Sequence, residues 1–213
     1  MSAEVLPELS ATDVVLQRVL DVVVATVAAL LLIVPALIIA LLVKTTSKGP
    51  VLFRQERVGV GGKLFNVWKF RSMADGTHLE VLADDELSQA YRDNDFKLSP
   101  NDPRITRIGR ILRSTSLDEV PQLVNVLAGH MSIVGIRPLL AEELALRPVY
   151  DQDLYRRMRP GMTGLWQVEG RSTVQNADRL HLDRRYLEDW SVLDDVKIIL
   201  RTPLALLRVA HAH

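Results

Sequence analysis

The sequence predicts an α+β fold, mainly helical, with an N-terminal membrane-embedded segment ahead of one compact domain that carries a small β-hairpin and amphipathic helices. Three observations predict it. The run from Val22 to Val43, VVVATVAALLLIVPALIIALLV, holds no charge over roughly 22 residues. Two strand-like runs flank Gly59-Val-Gly61-Gly62. Beyond Asp102, apolar residues recur among charged ones at helical spacing. A chain of 213 residues suits one domain plus one membrane element. Lys+Arg and Asp+Glu both number 26, so no global field favours nucleic acid, and none is expected as a partner. With no cysteine, disulfides, thiolate zinc sites and thiol nucleophiles are excluded, and the five histidines, close only at His211 and His213, do not make up a metal-ligand set.

The apolar run exceeds a signal-peptide core of ~7–15 residues. At ~1.5 Å per residue it reaches ~33 Å, enough for a ~30 Å hydrocarbon layer, so length alone favours crossing. Pro35 removes one backbone hydrogen bond and meets the carbonyl of Leu31, which predicts a kink. Arg18 precedes the run and Lys44, Lys48, Arg54 and Arg57 follow it, so neither flank is marked as external. A span and a re-entrant hairpin both remain open.

Val51–Val58 and Lys63–Phe70 read as the hairpin strands. The intervening glycines fit neither the Walker nor the dinucleotide spacing and are read as a turn. Lys69 and Arg71 flank Phe70 and, on an extended chain, project to one face where two cations can clamp an anion. Ser72 to about Pro100 is a polar, acid-rich excursion or lid with a short helix around Asp84 to Tyr91. Arg104, Arg107, Arg110 and Arg113 then recur every third residue, a stripe suited to solvent or to phosphates and anionic lipid heads.

Asp118 and Glu119 stand where this polar segment becomes an apolar helix running to Ala128. If Asp118 caps that helix, Pro121 falls in its first turn and the free N–H groups favour an anion, leaving Asp118 ionised. Ser116-Leu-Asp-Glu119 also satisfies the capping-box pattern. Neighbouring carboxylates on a helix point about 100° apart and do not flank a substrate as a glycosidase pair does. Met131 to Pro138 reads as a short strand or turn, followed by a helix from Ala141 to about Arg147 and another carrying Tyr155, Arg156 and Arg157. Arg159 to Arg171, rich in Gly and Pro but holding Trp166, reads as an ordered binding loop. A helix from Asp178 to about Trp190 precedes an amphipathic one from Asp194 to about Val209, which contains Pro203 and carries Lys197, Arg201 and Arg208. Such a helix can close a core or lie in the membrane interface.

Five motifs in order carry a family resemblance: Lys69-Phe-Arg71-Ser-Met73, Asp102-Pro-Arg104-Ile-Thr106, Arg113-Ser-Thr-Ser-Leu-Asp118-Glu119, Gly135-Ile-Arg137-Pro138 and Pro160-Gly-Met-Thr163-Gly-Leu-Trp166-Gln167. From about Gln17 to Leu207 the chain resembles the bacterial sugar transferase family, the monotopic polyprenyl-phosphate phosphoglycosyl transferases, in their short form. The resemblance implies an enzyme that moves a sugar-1-phosphate from a UDP-sugar to undecaprenyl phosphate and releases UMP, the first step of a surface glycan such as exopolysaccharide, O-antigen, capsule or glycoprotein glycan. The alternative is a catalytically inactive membrane-anchored assembly or regulatory relative. The resemblance makes Asp118 the nucleophile, through a covalent phosphosugar-aspartyl intermediate, with Glu119 beside it and Mg2+ required; Asp118 is also the candidate metal ligand. Arg113 and Arg137 are candidates for the substrate phosphates, with Lys69, Arg71 and Arg171 as further binding residues.

The resemblance further implies an apolar helix that breaks near Pro35 and returns, which divides the chain into a tail (1–16), a membrane-embedded segment (17–48) and a catalytic domain (49–213) on the cytoplasmic face of the bacterial inner membrane. The bilayer is thus a partner, whereas oligomeric state, including a homodimer, is open, as is the sugar. Two positions depart from the family pattern. Ile136 replaces the usual proline before Arg137 and is expected to loosen that turn; His130 replaces a common acidic residue and is expected to alter charge near the site.

Overall fold

The computed structural model describes residues 9–74, 76, 77, 84, 88, 89, 91, 99, 102–169 and 176–210, with side chains described for all of these except 176, 177 and 207–210. The fold is mainly helical α+β. Helix α1 (Ala11–Thr46, 36 residues) is followed by an antiparallel hairpin of β1 (Leu52–Val58) and β2 (Leu64–Phe70). After α2 (Arg107–Thr115), a 3-10 turn over Leu117–Glu119 and α3 (Gln122–Leu127) come β3 (Ser132–Val134), α4 (Ala141–Ala145), α5 (Val149–Arg157) and β4 (Gly161–Thr163). Helices α6 (Leu165–Glu169), α7 (Asn176–Glu188) and α8 (Val192–Ala210) complete the chain. The helix expected around Asp84 to Tyr91 lies largely outside the described residues.

Helix α1 begins at Ala11 and is uninterrupted through Pro35. A proline deletes one ladder bond, and the remaining bonds carry a helix past it. Small residues make one stripe of α1 fit the domain: Ala25, Ala28 and Ala29 pack on the main core, and Ala36, Ile39, Ala40 and Val43 on a second cluster with Phe70 and Leu112. The other faces stay bare, with Leu30, Leu31, Val34 and Leu37 all more than 60% exposed.

Both ends of α1 are fastened to the same domain by polar contacts. At the N-terminal end Gln17 donates to Asp195 (2.9 Å), Arg18 to the carbonyls of Val126 (2.6 Å) and Leu127 (2.9 Å), and Asp21 accepts from Ser132 Oγ (2.7 Å) and Ile133 N (2.8 Å). At the C-terminal end Arg71 Nη2 donates to the carbonyl and hydroxyl of Ser47, each at 2.8 Å. A cation there complements the exposed carbonyls of a helix end.

The segment from Arg159 to Arg171 is not a loop throughout. Its first part is β4, which pairs in parallel with β3, and α6 follows. The strands approach so closely that a Cβ on Gly161 meets the backbone of Gly135. The core between sheet and helices is closed by Tyr155, whose hydroxyl donates to Val58 O (2.7 Å) and accepts from Leu139 N (3.1 Å). Tyr155→Phe is therefore expected to lower stability by about 1–3 kcal/mol, because it strands two buried backbone groups. Chemical denaturation of purified protein measures it.

Candidate active site

The site grows from the junction of α2 and α3. Thr106 caps α2 by accepting from Gly109 N (2.9 Å), and the helix ends at Ser116, which adopts the left-handed conformation at φ 59°. The chain then turns once, over Leu117–Glu119, and enters α3 through Pro121. Neither the Asp118 cap nor the Ser116 capping box forms: Ser116 makes no side-chain cap bond, and its positive φ terminates the preceding helix instead. Leu117 and Val120, on either side of the dyad, pack on the cluster containing Ile39 and Val43 of α1, which holds the carboxylates beside the apolar helix.

Asp118 is buried, at 8% exposure. Burial, and then the neighbouring charge of Glu119, push its carboxyl up to about 6, while Lys69 and Arg113 oppose the rise. The expectation of an ordinary ionised cap is thus corrected: the carboxylate is strained towards its neutral form. Lys69 reaches Glu119 at 2.6 Å, so it partners the second carboxylate directly.

The expected clamp of Lys69 and Arg71 on one face does not form, because the strand ends at Phe70 and Arg71 turns to the end of α1. Arg113, in the last turn of α2, lies within electrostatic reach of Asp118 and Asp102. Arg104 precedes α2 and forks onto Asp102 at 2.6 and 2.9 Å, so the arginine stripe is shorter than its spacing suggested. Arg171 lies outside the described residues.

Arg137 donates from Nη2 to Glu143 Oε1 at 2.6 Å, and Glu143 outweighs burial in holding the guanidinium charged; its field also reaches Glu119. Arg137 is paired with Glu143 without a proline ring before it, and Ile136 is buried in the core. His130 stacks on Phe65 with ring centroids 5.7 Å apart. Sequence reasoning passed over Glu143, which reads as a solvated residue of a short helix, and Arg179, which lies over the buried Trp166 ring at 4.8 Å. Their pairing is long-range and left no local signal. Among the described residues no group of three or more metal-ligating side chains occurs. The adjacent carboxylates of Asp118 and Glu119 suit a magnesium ion that keeps its waters and shares substrate phosphates, the usual binding mode of that ion.

Residues 12–209 match the family described as Bacterial sugar transferase. The chain is 45% identical over 197 residues to undecaprenyl-phosphate galactose phosphotransferase of Salmonella typhimurium, covering 91% of this chain and 40% of the relative. It is 43% identical over 203 residues to UDP-glucose:undecaprenyl-phosphate glucose-1-phosphate transferase of Escherichia coli, covering 91% and 40%. With exopolysaccharide production protein ExoY of Rhizobium meliloti the identity is 39% over 196 residues, covering 87% of this chain and 83% of the relative. The chain thus spans about 40% of the length of the first two and most of the third. A match over nearly the whole chain, together with a buried Asp118 and its neighbour Glu119 beside an apolar helix, makes this protein a member of the bacterial sugar transferase family.

Proposed function

We propose that this protein transfers a sugar-1-phosphate from a UDP-sugar to undecaprenyl phosphate and so starts a surface glycan. The observation that carries the reading is the buried Asp118, raised towards neutrality, with Glu119, Lys69 and Arg113 around it at the flank of α1. The Asp118 carboxylate attacks the sugar-bearing phosphorus; the bond from that phosphorus to the UMP oxygen breaks and UMP leaves, giving an acyl phosphate on the enzyme. A phosphate oxygen of the lipid then attacks the same phosphorus and releases the carboxylate. One site serves both half-reactions, so a soluble donor and a lipid-tethered acceptor use it in turn. Arg113 and Lys69 stabilise charge on the transferring oxygens, and Arg137 holds the donor. Glu119, held by Lys69, assists the acceptor. Bound Mg2+, on Asp118 with Glu119 nearby, would supply charge neutralisation of the diphosphate.

The same reading makes residues 17–48 a re-entrant element and 49–213 a catalytic domain on the cytoplasmic face of the inner membrane. Support comes from the two ends of α1, which both bind the one domain through polar side chains. A single crossing would carry those ends to opposite faces, ~30 Å apart. A return to one face would need a bend at Pro35, whereas α1 runs through that residue as one helix. Helix α8 fits alongside: Asp195 and Ile198 face the core, while Leu193 and Leu200 are 73% and 71% exposed, an apolar outer stripe suited to the bilayer surface.

The test is UMP release by purified full-length protein given Mg2+, undecaprenyl phosphate and a panel of UDP-sugars. Release that requires one sugar and the lipid phosphate supports the reading and identifies the donor; silence across the panel from folded protein overturns it. A second expectation concerns Lys69. Removing its charge with Lys69→Met leaves Asp118 harder to ionise, so the acidic midpoint of the pH–rate profile should move upward from about 6.

A further inference from the structure

Strand β2 lies along the segment that carries the dyad, and the two run in opposite directions. Side chains alternate across a strand, so Phe65, Val67 and Lys69 share a face. Phe65 stacks on His130, beyond the end of α3; Val67 joins the core cluster that holds Leu123 and Val126; and Lys69 Nζ meets Glu119 Oε1 at 2.6 Å, ahead of α3. The register between strand and segment therefore decides whether the lysine reaches the second carboxylate. Strand residues rise by ~3.4 Å each, so a slip of two residues would carry the ammonium about 7 Å away.

Asn125 of α3 fixes that register. The residue is 2% exposed, and its side chain bridges the strand: Oδ1 accepts from Trp68 N at 3.1 Å, and Nδ2 donates to Asn66 O at 2.7 Å. A strand residue turns its N–H and C=O to one edge, so these two groups face away from β1, on the open side of a two-stranded sheet. The backbone carbonyl of Asn125 accepts in turn from His130 N at 3.0 Å and Met131 N at 3.3 Å, which ties the same residue to the turn after α3. Apolar packing tolerates sliding, whereas a donor and an acceptor on one amide fit a single register.

We propose that Asn125 is a positioning residue for the transfer, setting β2 against the dyad-bearing turn so that Lys69 is held on Glu119. The inference rests on the transferase reading above, in which Lys69 stabilises charge on the transferring oxygens, and it names the group that places the lysine there. The Asn125 side chain is committed to backbone groups and acts only through the strand. A side chain that merely satisfied buried backbone groups would contribute stability and leave Lys69 where it is.

The experiment compares the full chain in detergent as wild type, Asn125→Leu, Lys69→Met and the double variant. Acetylation of Lys69 by acetic anhydride, read by peptide mass spectrometry against Lys197, whose side chain is 64% exposed on α8, reports whether the ion pair holds. Asn125→Leu should raise the relative labelling of Lys69 several-fold, and unchanged labelling in the folded variant overturns the proposal. UMP release should fall about tenfold or more in Asn125→Leu, the scale of one lost charge-assisted contact, and the double variant should fall no further than Lys69→Met alone. Losses that multiply in the double variant show a role independent of Lys69 and sink the idea. If Asn125→Leu does not fold, Asn125→Asp keeps the acceptor for Trp68 N, loses the donor to Asn66 O, and is judged by the same two readouts. The wild type supplies a check that needs no variant: the Trp68 amide, on the open edge of β2, should exchange slowly in D2O, and fast exchange refutes the bridge. Wild-type protein that releases no UMP removes the transferase reading, and labelling then decides the placement of Lys69 by itself. Release with unchanged labelling removes this inference alone.

Discussion

In the proposed transfer, Asp118→Asn should reduce UMP release by about three orders of magnitude or more, because the amide cannot form the acyl phosphate on which both of its half-reactions depend. The variant should also be at least as stable as the parent near neutral pH, and this separates chemistry from unfolding. The Asp118 carboxyl is raised from 3.8 to about 6 by burial and by Glu119. The folded protein therefore binds that proton more tightly than the unfolded chain. Protonation favours folding fully below the unfolded value, and the contribution disappears as pH rises through about 6. Asparagine mimics the neutral form and escapes the penalty above that pH. In the proposed reaction the same ionisation acts in the opposite sense: turnover of the parent protein should climb as pH rises through about 6. A lost turnover with an unaltered or raised thermal midpoint at pH 7.5 supports the nucleophile; residual turnover near the parent level refutes it.

Gly161→Ala should be among the most damaging small substitutions in the described fold. A Cβ there would be driven into the amide nitrogen and Cα of Gly135 and the carbonyl carbon of Val134. These are backbone atoms of the paired strand, with no side chain to swing aside. Gly161 N also donates to Ile136 O at 2.8 Å, so relief by moving β4 breaks the contact that ties it to the residue before Arg137. A loss of about 3 kcal/mol or more is expected, which for a chain of this size is a fall in midpoint of about 6–12 °C. A fall of less than about 2 °C would show that the strands separate easily.

Much of the architecture was legible locally. The hairpin, α2, the dyad-bearing junction, α7 and α8 follow from apolar periodicity and turn residues and lie within a few residues of where those patterns put them, whereas β4 and α6 fall in a stretch read as a loop. The apolar run could only be a helix, and its polar forerunners Gln17, Arg18 and Asp21 look like an ordinary amphipathic start. That they reach Asp195, Val126 and Ser132, more than a hundred residues away, is unreadable from the chain, because hydrogen-bond partners distant in sequence leave no period. Arg71 illustrates the same limit. Its place beside Lys69 suggested one cationic face, yet the end of α1 offers unsatisfied carbonyls that take its guanidinium.

Composition, spacing and motif order are properties of the chain alone, and they carry the family, most of the elements and the two candidate carboxylates. The surroundings of those carboxylates arise from packing. Burial sets the proton affinity of Asp118, contact with Lys69 holds Glu119, and Glu143 gathers Arg57, Arg137 and Arg179 into one ion network. Desolvation and Coulomb interaction depend on distances in space, and those exist only once the helices have packed.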